Sequence, residues 1–434
     1  MTPVVVPPLS EVSAVLCLLL ILLVPFASVG LALINTGLGR ARSAAHAMLS
    51  VLCVTAVAAL VYVIAGFAWQ GVAGRPDHAF VVAGKSWGWI AAEPFFLRGL
   101  RLDLSTAALV VLLQLFSVGL AGIIPLSSGA DRWRLGAICA STALLAGCTY
   151  PLFAHWVWGG GWLTQLGVNY GLGRGFVDGG GSSTIQVVGG VTALSITWIL
   201  GPRRGKFSAE GIPSALPGHN AVLVLLGCVL AWIGWMALNS AGAMLFLGAE
   251  PGRVVLIAVN TMLCAASSGL TAALVTRIRF GRPDASLSAN GWIAGLVASS
   301  AAAAFLKPAA AMMVGGVAGI LVVWVADFLE FQFAIDDPGG AVSVHAVGGL
   351  WGVLAVALLS DAGGETGGQW LAQVLGIATL LGFVLPLTYA LNWLLNRIYR
   401  QRVDRDGELQ GMDLFELGAE AYPEFKVHGD SYMH

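Results

Sequence analysis

Eleven uninterrupted apolar stretches dominate this chain. A helix needs ~20 apolar residues to cross ~30 Å of hydrocarbon. The stretches run over 11–36, 43–68, 102–126, 133–157, 182–200, 219–240, 252–276, 288–304, 309–328, 341–360 and 369–396. Lys307-Pro308 separates the eighth from the ninth, because proline ends a helix near the preceding residue. The stretches are continuous rather than alternating, which argues against a membrane β-barrel. Charged residues make up 10% of the 434, where ~25% is typical of soluble domains. So few charges cannot cover a water-soluble surface. A soluble enzyme, a nucleic-acid binder and a disordered chain are excluded. The expected fold is an all-α polytopic membrane protein with eleven transmembrane helices.

The flank before the first stretch, MTPVVVPPLSE, has no Lys or Arg. It lacks the positive n-region of a signal peptide, so the first stretch reads as a retained span. Assigning the connections alternately to two sides puts 15 Lys and Arg on one side and 7 on the other. The 15-rich side includes Arg203, Arg204, Lys206 and the tail with Lys426. By the positive-inside rule that side is cytoplasmic, which sets the N-terminus outside and the C-terminus inside. The six cysteines lie in or beside apolar stretches, form no CxxC pair and read as small core residues.

Two segments repeat one pattern. Asp178-GGGSSTI-Gln186-VVGGV resembles Asp337-PGGAVSV-His345-AVGGL. Each has an Asp, a polar residue eight positions on, and Val-Gly-Gly at the same offset. The segments open the fifth and tenth stretches. Five is odd, so the copies enter the membrane from opposite sides, as in the inverted repeats of transporters. The expected organisation is a 5+5 repeat, with halves at 11–200 and 219–360 and an extra span at 369–396. The single transmembrane domain then covers 1–396, and 397–434 forms a cytoplasmic tail. The pseudo-two-fold brings Gln186 and His345 together, and a polar residue inside a span is a functional candidate by default.

Other features are weaker. The GxGxG within 171–183 follows no strand and gives no nucleotide site. His155 reads as structural, and Trp158 suits an interfacial belt. No cluster has metal or nucleophile spacing, so no cofactor, metal or catalytic role is expected. The tail, RVDRDGELQGMDLFELGAEAYPEF, reads as either a docked regulatory segment or a solvated one.

Several pieces together resemble the ammonium transporter family (Amt/Mep/Rh). They are GLALINTGLGRARS (30–43), HWVWGGGWL (155–163), Asp178 through Gly190 with ILGPRRGKF (199–207), GWMALNSAG (234–242), DDPGGAVSVHAVGG (336–349), and ELQGMD with GAEAY in the tail. The resemblance implies a homotrimer with one pore per subunit, movement of ammonium or ammonia, and docking of a PII-type signalling protein at the tail. It implies a pore pair at Gln186 and His345, where the family usually has two His. It places outer recognition at Trp158 and Asp178. It places regulatory contacts at Glu408, Gly411, Asp413 and Tyr422.

The chain departs from the family at several points. A recognition Ser falls on Gly242, one gate Phe falls on Leu238, and the other falls near Ser117 with Phe116 beside it. The Trp158–Asp178 spacing is about eight residues longer than the family's. Leu417 stands where a His is frequent. Three functions compete: an ammonium/ammonia transporter or channel, a transporter of another small neutral or amine substrate, and an ammonium-sensing receptor of the same fold. An effector domain after the eleventh span would favour the receptor; here 38 residues follow Asn396.

Overall fold

The computed structural model describes residues 9–362 and 367–423. The flank 1–8 and the tail end 424–434, with Lys426, lie outside the described residues. Ten helices in it are long and apolar enough to cross a bilayer. They are Glu11–Leu38, Ala41–Gln70, Thr106–Ser128, Leu135–Tyr170, Ser182–Leu200, Ala221–Phe246, Arg253–Phe280, Pro308–Phe333, Val342–Leu359 and Gln369–Ile398. Each matches one expected stretch, in order. The eighth stretch forms Ala285–Ala302, whose Ser, Asn and Gly lower its hydropathy. It is buried from Ala289 to Gly291 and from Ile293 to Ala302. Protein rather than lipid surrounds it, so small and polar residues are tolerated there.

The outward faces carry Leu22, Leu52, Leu60, Val222, Leu270 and Leu274, all exposed. Hydrocarbon is the natural solvent for such faces. Inside, small residues let the two halves cross closely. A Cβ on Gly30 of the first span would lie 2.4 Å from the Ala231 nitrogen of the sixth. A Cβ on Gly190 would lie 2.3 Å from the Ala346 nitrogen, and one on Gly349 2.7 Å from the Val187 side chain. The repeat offset of 159 residues that relates Gln186 to His345 also carries Gly190 onto Gly349 and Val187 onto Ala346, so one contact is the symmetry mate of the other. The fifth and tenth spans therefore meet on a pseudo-two-fold axis.

One element was not expected. Within the 69–101 loop, β1 (Asp77–Val82) pairs antiparallel with β2 (Lys85–Ala91). Ala83 and Gly84, both at positive φ (51° and 73°), make the turn. Two-residue hairpin turns of this kind match the strand twist but usually carry Asn or Gly at the first position. Trp89 packs on Trp156 of the fourth span at 4.7 Å and accepts a 2.8 Å hydrogen bond from its indole. The hairpin is thus fastened to the C-terminal part of that span.

Candidate functional site

The two repeat segments are built alike. The Asp178 carboxylate accepts from the N–H groups of Gly181, Ser183 and Thr184 and from the Ser183 and Thr184 hydroxyls, at 2.5–3.2 Å. The Asp337 carboxylate accepts from the N–H groups of Ala341 and Val342 and from the Ser128 hydroxyl, at 2.6–3.1 Å. A left-handed glycine follows each, Gly181 (φ 93°) and Gly340 (φ 71°). Only a residue without Cβ turns the chain this way at low strain. Each segment then starts its span as a π-helical turn, Ser182–Val187 and Val342–Val347. Such turns are rare and gather at functional sites.

Those two turns carry Gln186 and His345. His345 Nδ1 lies 2.8 Å from Gln186 Oε1, and both side chains are buried. An amide oxygen only accepts, so Nδ1 carries the proton of a neutral ring and Nε2 is left as an acceptor. Gln186 Nε2 is buried without a partner among the described residues. An unmet amide donor in a dry site is costly, on the order of 1–3 kcal/mol. In this arrangement the pair offers a passing molecule one donor and one acceptor.

On the hairpin side, Trp158 Nε1 donates to the Asp178 carbonyl at 2.7 Å, which brings those two expected residues together. The Asp178 carboxylate itself is turned to its own chain. Leu238 is buried, Ser117 donates to the Leu113 carbonyl at 2.9 Å, and Phe116 is half-buried against the core. Gly242 is a close-approach residue: a Cβ there would lie 2.3 Å from the Gly179 carbonyl oxygen. No hydroxyl-bearing side chain fits without moving that turn. The ring that meets Trp158 is Phe246, stacked at 4.3 Å and 8°. Sequence reasoning missed it, although it sits one turn beyond Gly242 on the same helix face. His155 is buried with Nδ1 2.8 Å from the Gln70 carbonyl, a bond between the second and fourth spans.

The tail is docked on the opposite face. The Asp413 carboxylate accepts from the N–H groups of Ala45 and His46 at 3.1 and 2.7 Å, which caps the second span. Glu416 accepts from the Leu135 N–H at 2.8 Å and bonds His46 Nε2 at 2.9 Å. Glu408 accepts from the Arg204 N–H at 2.6 Å and from Arg402 at 2.8 Å. Gly411 (φ 105°) lies against Arg42, where a Cβ would meet the carbonyl oxygen at 2.6 Å. The Tyr422 hydroxyl lies 3.2 Å from His219 Nε2. Behind Arg204, Arg203 forks onto Asp336 at 2.9 and 3.0 Å and reaches Asp131 at 3.2 Å. Asp336 precedes the Asp337 cap. Tail, loop and tenth span thus share one polar network.

Burial pushes the Glu416 carboxyl up, but bonds from His46 and the Leu135 N–H outweigh it and hold the group below the usual range. Burial opposes Asp336 too, and Arg203 and Arg132 hold it low. Of the two, Glu416 belongs to the tail, and its depressed carboxylate stabilises the docked state above the free value of about 4.3. That stability is lost as pH falls through the depressed value. The tail should stay docked at neutral pH and release only below about pH 4. Anisotropy of a dye placed on the tail measures this, and a pH-independent signal would refute it.

The model of the Ammonium Transporter Family matches residues 15–422. The chain is 32% identical to ammonium transporter Amt2 of Archaeoglobus fulgidus, over 96% of this chain and 89% of that protein. It is 28% identical to an ammonium transporter of Bacillus subtilis, over 92% and 96%. Among solved structures, a sensor Amt protein is similar with a TM-score of 0.83 and 26% identity, covering 93% of this chain and 97% of that one. Mep2 of Candida albicans shares the fold with a TM-score of 0.78 at 24% identity, over 96% and 92%.

Proposed function

The chain belongs to the ammonium transporter family, and we propose that within it this protein conducts neutral ammonia past an amide–imidazole pair. It is a multi-pass helical membrane protein and an ammonium transporter. The observation that carries the mechanistic reading is the 2.8 Å Gln186–His345 bond, with Gln186 Nε2 left unpaired. Ammonia has a lone pair and N–H groups, so it can accept from Gln186 and donate to His345 Nε2. Ammonium has donors only and meets the Gln186 amide donor unfavourably. Dehydrating the ion is also costly in a narrow apolar passage. A proton left behind cannot cross through the pair, because an amide does not titrate near neutral pH.

A second reading is a substrate drifted to another small neutral or amine molecule. Its support is the outer site, where Gly242, Leu238 and Ser117 leave Trp158 with Phe246 as its ring partner. A receptor role draws on the 26% identity to a sensor Amt protein.

The 1–396 transmembrane domain forms a homotrimer in this reading, with the hairpin face outside and the 397–434 tail cytoplasmic. The Lys and Arg count supports that orientation. The tail contacts at Glu408, Gly411, Asp413 and Tyr422 would answer to a PII-type partner. Mass measurement in detergent checks the trimer, where a stable monomer refutes it. Protease cutting the tail from outside intact cells would overturn the orientation.

Purified protein in liposomes tests the transport reading. An ammonium pulse should raise internal pH with little current. His345→Ala should change the conductance and lower the melting temperature without unfolding the protein, since it leaves the buried Gln186 Oε1 unpaired at a cost on the order of 1–3 kcal/mol, plus a cavity. Equal pH responses in protein-containing and empty liposomes would sink conduction altogether.

A further inference from the structure

We propose that Phe246 is a specificity-determining residue, a movable aromatic cover over the Trp158 face on which a cation would otherwise rest. The inference rests on the transport reading only for its consequence; the cover itself is argued from geometry. At a centroid separation of 4.3 Å and an angle of 8°, no ion fits between the rings. A cation gains from an aromatic face only when it sits over that face, within ~6 Å of the centroid. Phe246 has that place.

The two rings differ in freedom. Trp158 is buried, and its indole N–H is held by the Asp178 carbonyl at 2.7 Å. That carbonyl belongs to the residue whose carboxylate fixes the start of the fifth span. Phe246 has no polar atom and is half-buried. It is the last helical residue of the sixth span, and Leu247 and Gly248 follow it. Gly248 lies at φ 66° with open space around it. Of the pair, Phe246 is the side chain that can swing.

The space around the stack says what swinging would do. Open clefts of about 420 and 380 Å³ adjoin it. Val157, Trp158, Thr164 and Phe246 line both, so the stack sits where the two clefts meet. Rotating Phe246 away bares the indole face to them. The helix register explains why the ring is here. Leu238, Gly242 and Phe246 are spaced by four and share one face of the sixth span. Position 242 is blocked by the Gly179 carbonyl, and position 238 carries no ring. The aromatic group of this face sits two turns farther out and closes over Trp158. A neutral solute passes such a cover without needing the indole face. An alkylammonium ion must displace it.

The experiment uses the full-length protein in detergent and follows tryptophan emission during titration with methylammonium, with Trp158→Leu as the blank. Phe246→Ala should lower the half-saturating concentration about two- to five-fold, the value of one exposed cation–π contact. Phe246→Leu, which still covers the indole, should stay at the unaltered value. Binding of radiolabelled methylammonium to Phe246→Ala combined with Trp158→Leu, measured by equilibrium dialysis, should lose the gain. Where the Ala variant fails to fold, Phe246→Val is read in the same way. Equal affinity in the unaltered, Ala and Leu proteins overturns the cover, as does the absence of any Trp158-dependent signal. Ammonium-pulse conduction by the same proteins is measured separately. A gain in binding without conduction keeps the cover and refutes transport.

Discussion

Gln186→His is expected to convert a nearly electroneutral conductor into one that carries current. In the proposed mechanism the unaltered pair works with one polarity, the Gln186 amide donating and His345 Nε2 accepting. A second imidazole at 186 would share one proton with His345, and either ring could then donate or accept. A proton could enter on one ring and leave from the other while ammonia passes beside them. Positioned proton-transfer groups typically contribute 10²–10⁴ in rate. The ammonium-driven current should therefore rise by at least about tenfold, while the ammonia flux changes far less. Position 186 is buried but lies in a π-helical turn beside its own unpaired donor, so a ring of similar size replaces an amide without breaking a second bond. Current and internal pH recorded together in liposomes decide the matter. A robust, selective current in the unaltered protein would show that an amide–imidazole pair suffices and that the fixed-polarity argument is wrong.

Much of this architecture was legible because the bilayer leaves a chain few choices. Each span must satisfy its own backbone, so apolar runs announce helices. Ten of the eleven runs became helices that meet the demands of a lipid environment. The run at 288–304 did not, for a physical reason: Ala285–Ala302 is enclosed by protein and has no need of lipid-facing side chains. The repeat was legible through Asp, Gly and the polar pair, since each is fixed by backbone geometry that few residues satisfy. The hairpin was not legible, because Ala83 at φ 51° is an unusual turn residue and its strands are held by Trp89 on another element. The outer ring was missed for a similar reason. Aligning 238 and 242 with a known pattern directed attention to what those positions lack. Phe246 carries its signal only in three dimensions, through the stack on Trp158. The tail's docking was equally invisible in composition. Asp413 and Glu416 are ordinary acidic residues until they cap the second and fourth spans.

Asp178→Ala should abolish folding rather than merely impair conduction. A carboxylate near the mouth of a cation pathway invites a reading as an electrostatic attractor. The geometry assigns it a different task. Five donors converge on it, three from the backbone and two from hydroxyls, all from the first turn of the fifth span. Each buried donor left unpaired costs about 1–3 kcal/mol, and a whole domain is stable by only about 5–15 kcal/mol. Loss of all five therefore rivals the total. Asp178→Asn should be intermediate, since its amide oxygen can take the four bonds made by Oδ2 but its NH₂ then faces the Gly181 N–H donor. Asp337→Ala should be milder than Asp178→Ala, because three donors rather than five lose their acceptor. The two Asp residues are equivalent in the repeat, so this ordering depends on the hydrogen bonds alone. Yield and thermal stability in detergent, compared across the three variants, give the test. An Asp178→Ala protein that folds and melts like the unaltered one but binds methylammonium weakly would restore the attractor and remove the cap from the argument.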